Sequence, residues 1–226
     1  MTTHDSWLTL LALTALFCAE VCLAQSPTAG QQDTAGAAPP AESGAPQPPT
    51  FKQEELDQLA AIQVCRAIVD AQREYTQLDP DGDGVHEYAQ KFLSDAGKKN
   101  GLYWKTDGNE PLSPLGPLVA TASEEGYTSV RTETGEPQAY HSYYYHMLTS
   151  QGSHAAGGKR NYIVKGKMTG GFAVVAWPAE YGNSGMMTFL VSHNDVVFQR
   201  DLGRRTDRTA RALIAFDPGE GWDIVE

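Results

Sequence analysis

Residues 53–84 read QEELDQLAAIQVCRAIVDAQREYTQLDPDGDG, and this stretch decides the fold. Apolar or small residues recur at Leu56, Ala60, Val64, Ile68, Ala71, Tyr75 and Leu78. Steps of three and four place them on one stripe of a helix. Neither Pro nor Gly interrupts before Pro80. Thr50-x-x-Gln53 has the form of a capping box, and Glu54 and Glu55 stand in the first turn, where the helix dipole favours carboxylates. The pattern predicts a helix over 53–78, stopped by Asp79-Pro80-Asp81-Gly82-Asp83-Gly84. Cys65 lies beside the stripe and reads as an inert, small apolar residue.

Beyond the Asp-Gly turn the pattern changes. Residues 97–118 are rich in Gly and Pro and predict an ordered loop, with a short helix over 117–125. Residues 140–149 (YHSYYYHMLT) are aromatic and strand-like. Segments 161–168 and 172–177 follow as strands, separated by Gly170-Gly171. Segments 186–192 and 196–200 flank His193-Asn194-Asp195, which reads as a hairpin turn. A last helix is predicted over 206–216, and 222–225 closes the chain. A long helix, an antiparallel meander and a short C-terminal helix make an α+β fold. The expected architecture is the long helix packed on one face of a four- to five-stranded antiparallel sheet.

The first 50 residues follow other rules. Residues 7–19 (WLTLLALTALFCA) form an apolar run of 13, short of the roughly 20 a bilayer core requires. Cys22-Leu23-Ala24 is a small-x-small ending, so residues 1–24 read as a signal peptide cut after Ala24, with no transmembrane segment left after its removal. Cys18 and Cys22 would leave with it. Cys65 alone would remain, which excludes an intramolecular disulfide. Residues 25–50 hold six Pro, six Ala and three Gly, and no Leu, Ile, Val or aromatic residue. Such a stretch cannot offset its ordering entropy by burial and reads as a disordered linker. Residues 51–226 are expected to form a single α+β domain. The predicted location is the bacterial periplasm or the medium. With 17 basic and 28 acidic residues and a net charge of −11, the chain is too acidic on average for nucleic acid or an anionic membrane to be its expected partner.

Several segments together resemble a known family. They are AIQVCRAIVDAQREY at 61–75, DPDGDGVHEYAQKF at 79–92, GLYW at 101–104, PLSPLGPLVA at 111–120, HSYYYHMLTSQG at 141–152 and GGFAVVAWPAEYGNSGMMTFLVSHNDVVFQRDLG at 170–203. The block is similar to the bacterial exported family known as domain of unknown function 2950. Members carry a further N-terminal region, whose place the Pro-rich linker takes here. More distantly, a helix, an Asp-Gly turn ending in Glu-Tyr and a sheet resemble the globular heads of type IV pilins and pseudopilins. That likeness implies a fold, and the family implies export without an activity.

The chemistry is sparse. Asp79-x-Asp81-x-Asp83-Gly84 places oxygen ligands at alternate positions of a tight turn, a pattern that suits Ca²⁺. The twelfth position of an EF-hand loop would be Gln90, and the nearest carboxylate is Glu87 at the ninth, so the candidate is a shorter loop of Asp79, Asp81, Asp83 and Glu87. The bland reading is an Asx turn that ends the helix. His141 and His146 point to opposite strand faces, and His86, His154 and His193 fall in separate loops, so zinc is not expected. Gly182-Asn183-Ser184-Gly185 is similar to the nucleophile turn of chymotrypsin-like proteases, but the β region that would supply the other triad members begins only near 140. Tyr143, Tyr145, Trp177 and Tyr181 are candidates for an aromatic ligand face, for example for glycan. The expected function is a non-enzymatic binding or assembly module with an envelope protein or glycan as partner. The alternative is an envelope hydrolase using carboxylates such as Asp83 and Glu87.

Overall fold

The structure is a computed structural model and describes residues 52–107, 110–125 and 138–226. The expected signal peptide, linker and Thr50 cap lie outside the described residues. The described residues form one compact unit.

Helix α1 covers Gln53–Leu78, as its apolar spacing predicts. Its N-terminus is closed two residues later than the capping pattern suggests: the Lys52 N–H donates to Glu55 Oε2 at 3.1 Å. It ends where Asp79 turns left-handed, with φ 44°, a conformation that Asp tolerates better than most residues. The buried face comprises Asp57, Ala61, Ile62, Val64, Cys65, Ile68, Val69, Ala71, Gln72 and Tyr75. Leu56 and Leu78 of the predicted stripe are instead 44% and 49% exposed, and Asp57 takes the buried side near the start of the helix. Helix α2 covers Gly116–Glu124, with Pro117 in its first turn.

The strands are β1 Tyr143–Leu148, β2 Ser150–Gln151, β3 Arg160–Asn161, β4 Ile163–Val164, β5 Lys167–Met168, β6 Ala173–Pro178, β7 Met187–Ser192 and β8 Val197–Asp201. A 3₁₀ turn at Gly203–Arg205 leads into α3 Thr206–Arg211, followed by β9 Ala215–Phe216 and β10 Asp223–Ile224. Five strands make the main antiparallel sheet in the order β1-β6-β7-β8-β10. The β7–β8 pair turns at the predicted His193-Asn194-Asp195, with Asp195 at φ 62°.

Three expectations change. The strand expected over 161–168 is the end of β3 followed by a β4–β5 hairpin, because Lys165 and Gly166 both turn left-handed, at φ 51° and 84°. The last helix stops at Arg211, and Ala215–Phe216 pairs in parallel with β2. The sheet is also covered on both sides. Helix α1 packs on β6 and β7, while α3 and β9 pack on β6 from the other side. Every residue of β6, AVVAWP, is therefore buried, as an unbroken apolar strand should be. Each of its valines contributes about 1.5–3 kcal/mol by leaving water. No described helix is long and apolar enough to cross a membrane.

Candidate functional site

An apolar groove of about 760 Å³ opens between α1, α2, β1 and the segment 90–95. Val64 and Ile68 form its floor on α1. Leu115, Leu118, Val119 and Ala122 line the α2 side, Tyr145 and Met147 the β1 side, Phe92 and Leu93 the third wall, with Ile214 at the rim.

Each wall has a fixed origin. The Gln72 amide is buried and pairs with the backbone of Ala89: Nε2 donates to Ala89 O at 2.8 Å, and the Ala89 N–H donates to Oε1 at 2.8 Å. This fixes where the chain leaves α1 for 90–95. The next residues form a short ladder, with Leu102 N–H to Lys91 O at 3.1 Å, Tyr103 N–H to Phe92 O at 2.8 Å and Ser94 N–H to Tyr103 O at 2.8 Å. The Leu115 N–H donates to Leu102 O at 2.9 Å, which sets the start of α2.

The groove carries little net charge. Lys91 and Asp95 line it and pair with each other at 2.5 Å. His146 is exposed overall, but partial desolvation of its imidazole holds it below its ordinary range, which favours the neutral ring. Cys65 is fully buried, and desolvation pushes its thiol up to about 12, so it is no nucleophile.

The four candidate aromatic residues do not share an exposed face. Tyr143 is fully buried against Phe189 and donates to Met187 O at 3.0 Å. Tyr145 lies on the same side of the sheet and lines the groove. Trp177 stands on the opposite side with Tyr144, beneath the Arg211 guanidinium, which lies 5.2 Å from the Tyr144 ring and 5.6 Å from the Trp177 ring. The Trp177 Nε1–H donates to Asp207 Oδ1 at 3.0 Å. Tyr181 donates to Asp201 Oδ2 at 3.0 Å. Ser184 is buried, and its hydroxyl accepts the Glu180 N–H at 3.3 Å, closing the turn.

The acidic loop is built on hydrogen bonds from its own backbone. Asp83 Oδ1 accepts the Val85 N–H at 2.9 Å, an Asx-turn bond, and Asp79 Oδ2 accepts the Gly84 N–H at 2.9 Å across the whole loop. Asp79, Asp81 and Asp83 also bring carboxylate oxygens within 4.8 Å of one another. The residue that sequence spacing missed is Lys167 on β5. Its Nζ lies 3.1 Å from Asp81, 2.6 Å from Asp83 and 2.8 Å from Glu87. These pairs push the lysine above its ordinary range and hold Asp83 below the usual carboxylate range. Glu87 therefore faces the lysine together with Asp81 and Asp83, and the knot ties the end of α1 to the β4–β5 hairpin. Asp79 Oδ1 is buried without a hydrogen-bond partner among the described residues.

Residues 55–225 match the model of a family described as Protein of unknown function (DUF2950). No curated protein and no solved structure matches the chain, so the likeness to pilin heads finds no support there.

Proposed function

We propose, for a chain that belongs to the family described as Protein of unknown function (DUF2950), that it is a non-enzymatic binding module of the bacterial envelope whose ligand is an elongated, uncharged apolar body such as an alkyl or acyl chain. The groove carries this reading. Its volume of about 760 Å³ falls within the roughly 300–1,000 Å³ of small-molecule sites. Lys91 and Asp95 of its lining pair with each other, and Asp95 also with Lys98, so a charged ligand would have to break such a pair before finding a counter-ion. A glycan platform would require open ring faces, whereas Tyr143 and Trp177 are buried. An envelope hydrolase would need Asp83 and Glu87 to exchange protons, and Lys167 pairs with both.

The test is fluorescence of N-phenyl-1-naphthylamine titrated into the full chain and displaced by a long-chain alcohol. Ala122→Trp fills the groove from the half-buried side of α2. It is expected to weaken probe binding at least tenfold, roughly 1.4 kcal/mol, at an unchanged unfolding midpoint. Equal affinity in the variant would place the probe elsewhere, including on the apolar 7–19 run, and would overturn the reading.

Calcium belongs to this proposal as a rival of Lys167. The three aspartates suit a hard cation, and Asp79 Oδ1 offers an oxygen with no other partner. Asp81 and Asp83 would have to release the ammonium first. Lys167→Met is therefore expected to lower the thermal midpoint in chelator and to regain part of the loss in millimolar Ca²⁺, with a larger calcium response than the wild type. If calcium moves neither protein, the loop is a helix-ending turn tied by lysine alone.

A further inference from the structure

The acidic average of the chain hides a basic strip. Residues 200–211, RDLGRRTDRTAR, hold five of the 17 basic residues against two aspartates. Thr206 and Ala210 of α3 face the core, fully buried. Arg204, Arg208 and Arg211 follow in steps of four and three and share the outer side, with Arg205 beside them; all four are exposed.

The two aspartates do not neutralise this strip. Asp201 accepts from Tyr181 and from the Gly203 N–H at 2.7 Å. Asp207 accepts from Trp177 and from Arg211 at 2.7 Å. Arg204, Arg205 and Arg208 have no carboxylate within ion-pair distance among the described residues. Three guanidinium groups are thus held on a rigid, core-anchored element with their donors open.

Ile214, 75% exposed, follows the end of α3 by three residues, on a turn tied back to the helix by the Leu213 N–H to Ala210 O bond at 3.1 Å. Its backbone is anchored, since its carbonyl accepts the Ser150 hydroxyl at 3.0 Å. An exposed apolar side chain just past three arginines that lack a carboxylate among the described residues matches the layered chemistry of a lipid surface, where phosphates lie outside and hydrocarbon just beneath.

We propose that the 3₁₀ turn Gly203–Arg205 and the outer face of α3 dock together on a bilayer carrying anionic phospholipid, with Arg204, Arg205 and Arg208 on the lipid phosphates and Ile214 in the headgroup–acyl boundary. The net charge of −11 opposes approach at long range, but that repulsion is screened beyond about 8–10 Å in physiological salt, and contact brings the basic strip nearest. The proposal does not rest on the groove's contents, although Ile214 also stands at the groove's rim.

The experiment reads position 214 itself, so that insertion of the apolar 7–19 run cannot imitate the result. The full chain carries Ile214→Cys in a Cys18→Ser/Cys22→Ser background and is labelled with a solvatochromic dye. Cys65, fully buried, stays unlabelled in the folded protein. Vesicles of phosphatidylcholine with phosphatidylglycerol should shift the emission to the blue, and high salt should reverse it. Vesicles of phosphatidylcholine alone should leave it unmoved. Each arginine strengthens such binding about fivefold, so Arg204→Gln/Arg205→Gln/Arg208→Gln should weaken it roughly a hundredfold. No shift on anionic vesicles, or an equal shift in the triple variant, overturns the proposal. So does protection of α3 by an anionic polymer while the dye at 214 stays in water, which would identify a polymer as the partner.

Discussion

Gln72→Ala is expected to destabilise the protein by about 3–5 kcal/mol, read from urea unfolding. Gln72 is fully buried on the core face of α1, where an apolar residue would be usual. Its amide satisfies both polar groups of the Ala89 backbone, each at 2.8 Å. Alanine leaves a buried N–H and a buried C=O without partners, at about 1–3 kcal/mol each. It also opens a cavity beside Met147, whose sulfur lies 3.7 Å from Nε2. Gln72→Met separates the two contributions. It restores the volume but not the bonds, so it should recover only the cavity part of the loss. A cost below about 1 kcal/mol for alanine would mean that water or a shifted backbone satisfies Ala89, and that the start of segment 90–95 is not fixed by this side chain.

The same residue shows what the sequence could and could not tell. The bounds of α1 were legible because 26 residues without Pro or Gly repeat one spacing. The β7–β8 hairpin was legible because two apolar runs bracket a polar triplet. The role of Gln72 was not legible, since nothing local marks a buried glutamine that serves a backbone 17 residues away. Lys167 was hidden for the same reason: it lies 80 positions from Glu87. A signal existed, because four carboxylates between 79 and 87 without a local Lys or Arg favour a cation from elsewhere, and a distant lysine satisfies that as well as an ion does. The run AVVAWP also announced a strand buried on both faces, which argues against a sheet with one open side. The groove had no signature. Its residues come from five separate segments, and none of them alone marks a groove. The basic strip at 200–211 was visible in sequence but averaged away by a chain-wide charge.

Gly101→Ala is expected to cost at least about 3 kcal/mol and to remove the groove with it. Gly101 is buried where two chain segments press together. A Cβ there would lie 2.6 Å from the Leu93 carbonyl carbon, 2.7 Å from its oxygen and 2.7 Å from the Ser94 nitrogen. All three are backbone atoms, so no rotamer can yield and the segments must part. Parting them strains or breaks the bonds from Leu102 to Lys91, from Tyr103 to Phe92 and from Ser94 to Tyr103. Overpacking commonly costs about 1–3 kcal/mol, and lost buried bonds add about 0.5–1.5 kcal/mol each. Phe92, Leu93 and Ser94 line the groove, so the displacement should reach the ligand site and weaken the naphthylamine probe more than tenfold even where the protein stays folded. Gly97→Ala supplies the contrast. Gly97 sits at φ +73° with nothing within 4 Å of the added Cβ, so its cost is backbone strain alone, about 1–2 kcal/mol, and probe binding should survive. If Gly101→Ala kept the wild-type midpoint and the wild-type affinity, the 90–95 wall would have room to move, and a preformed groove would no longer account for binding.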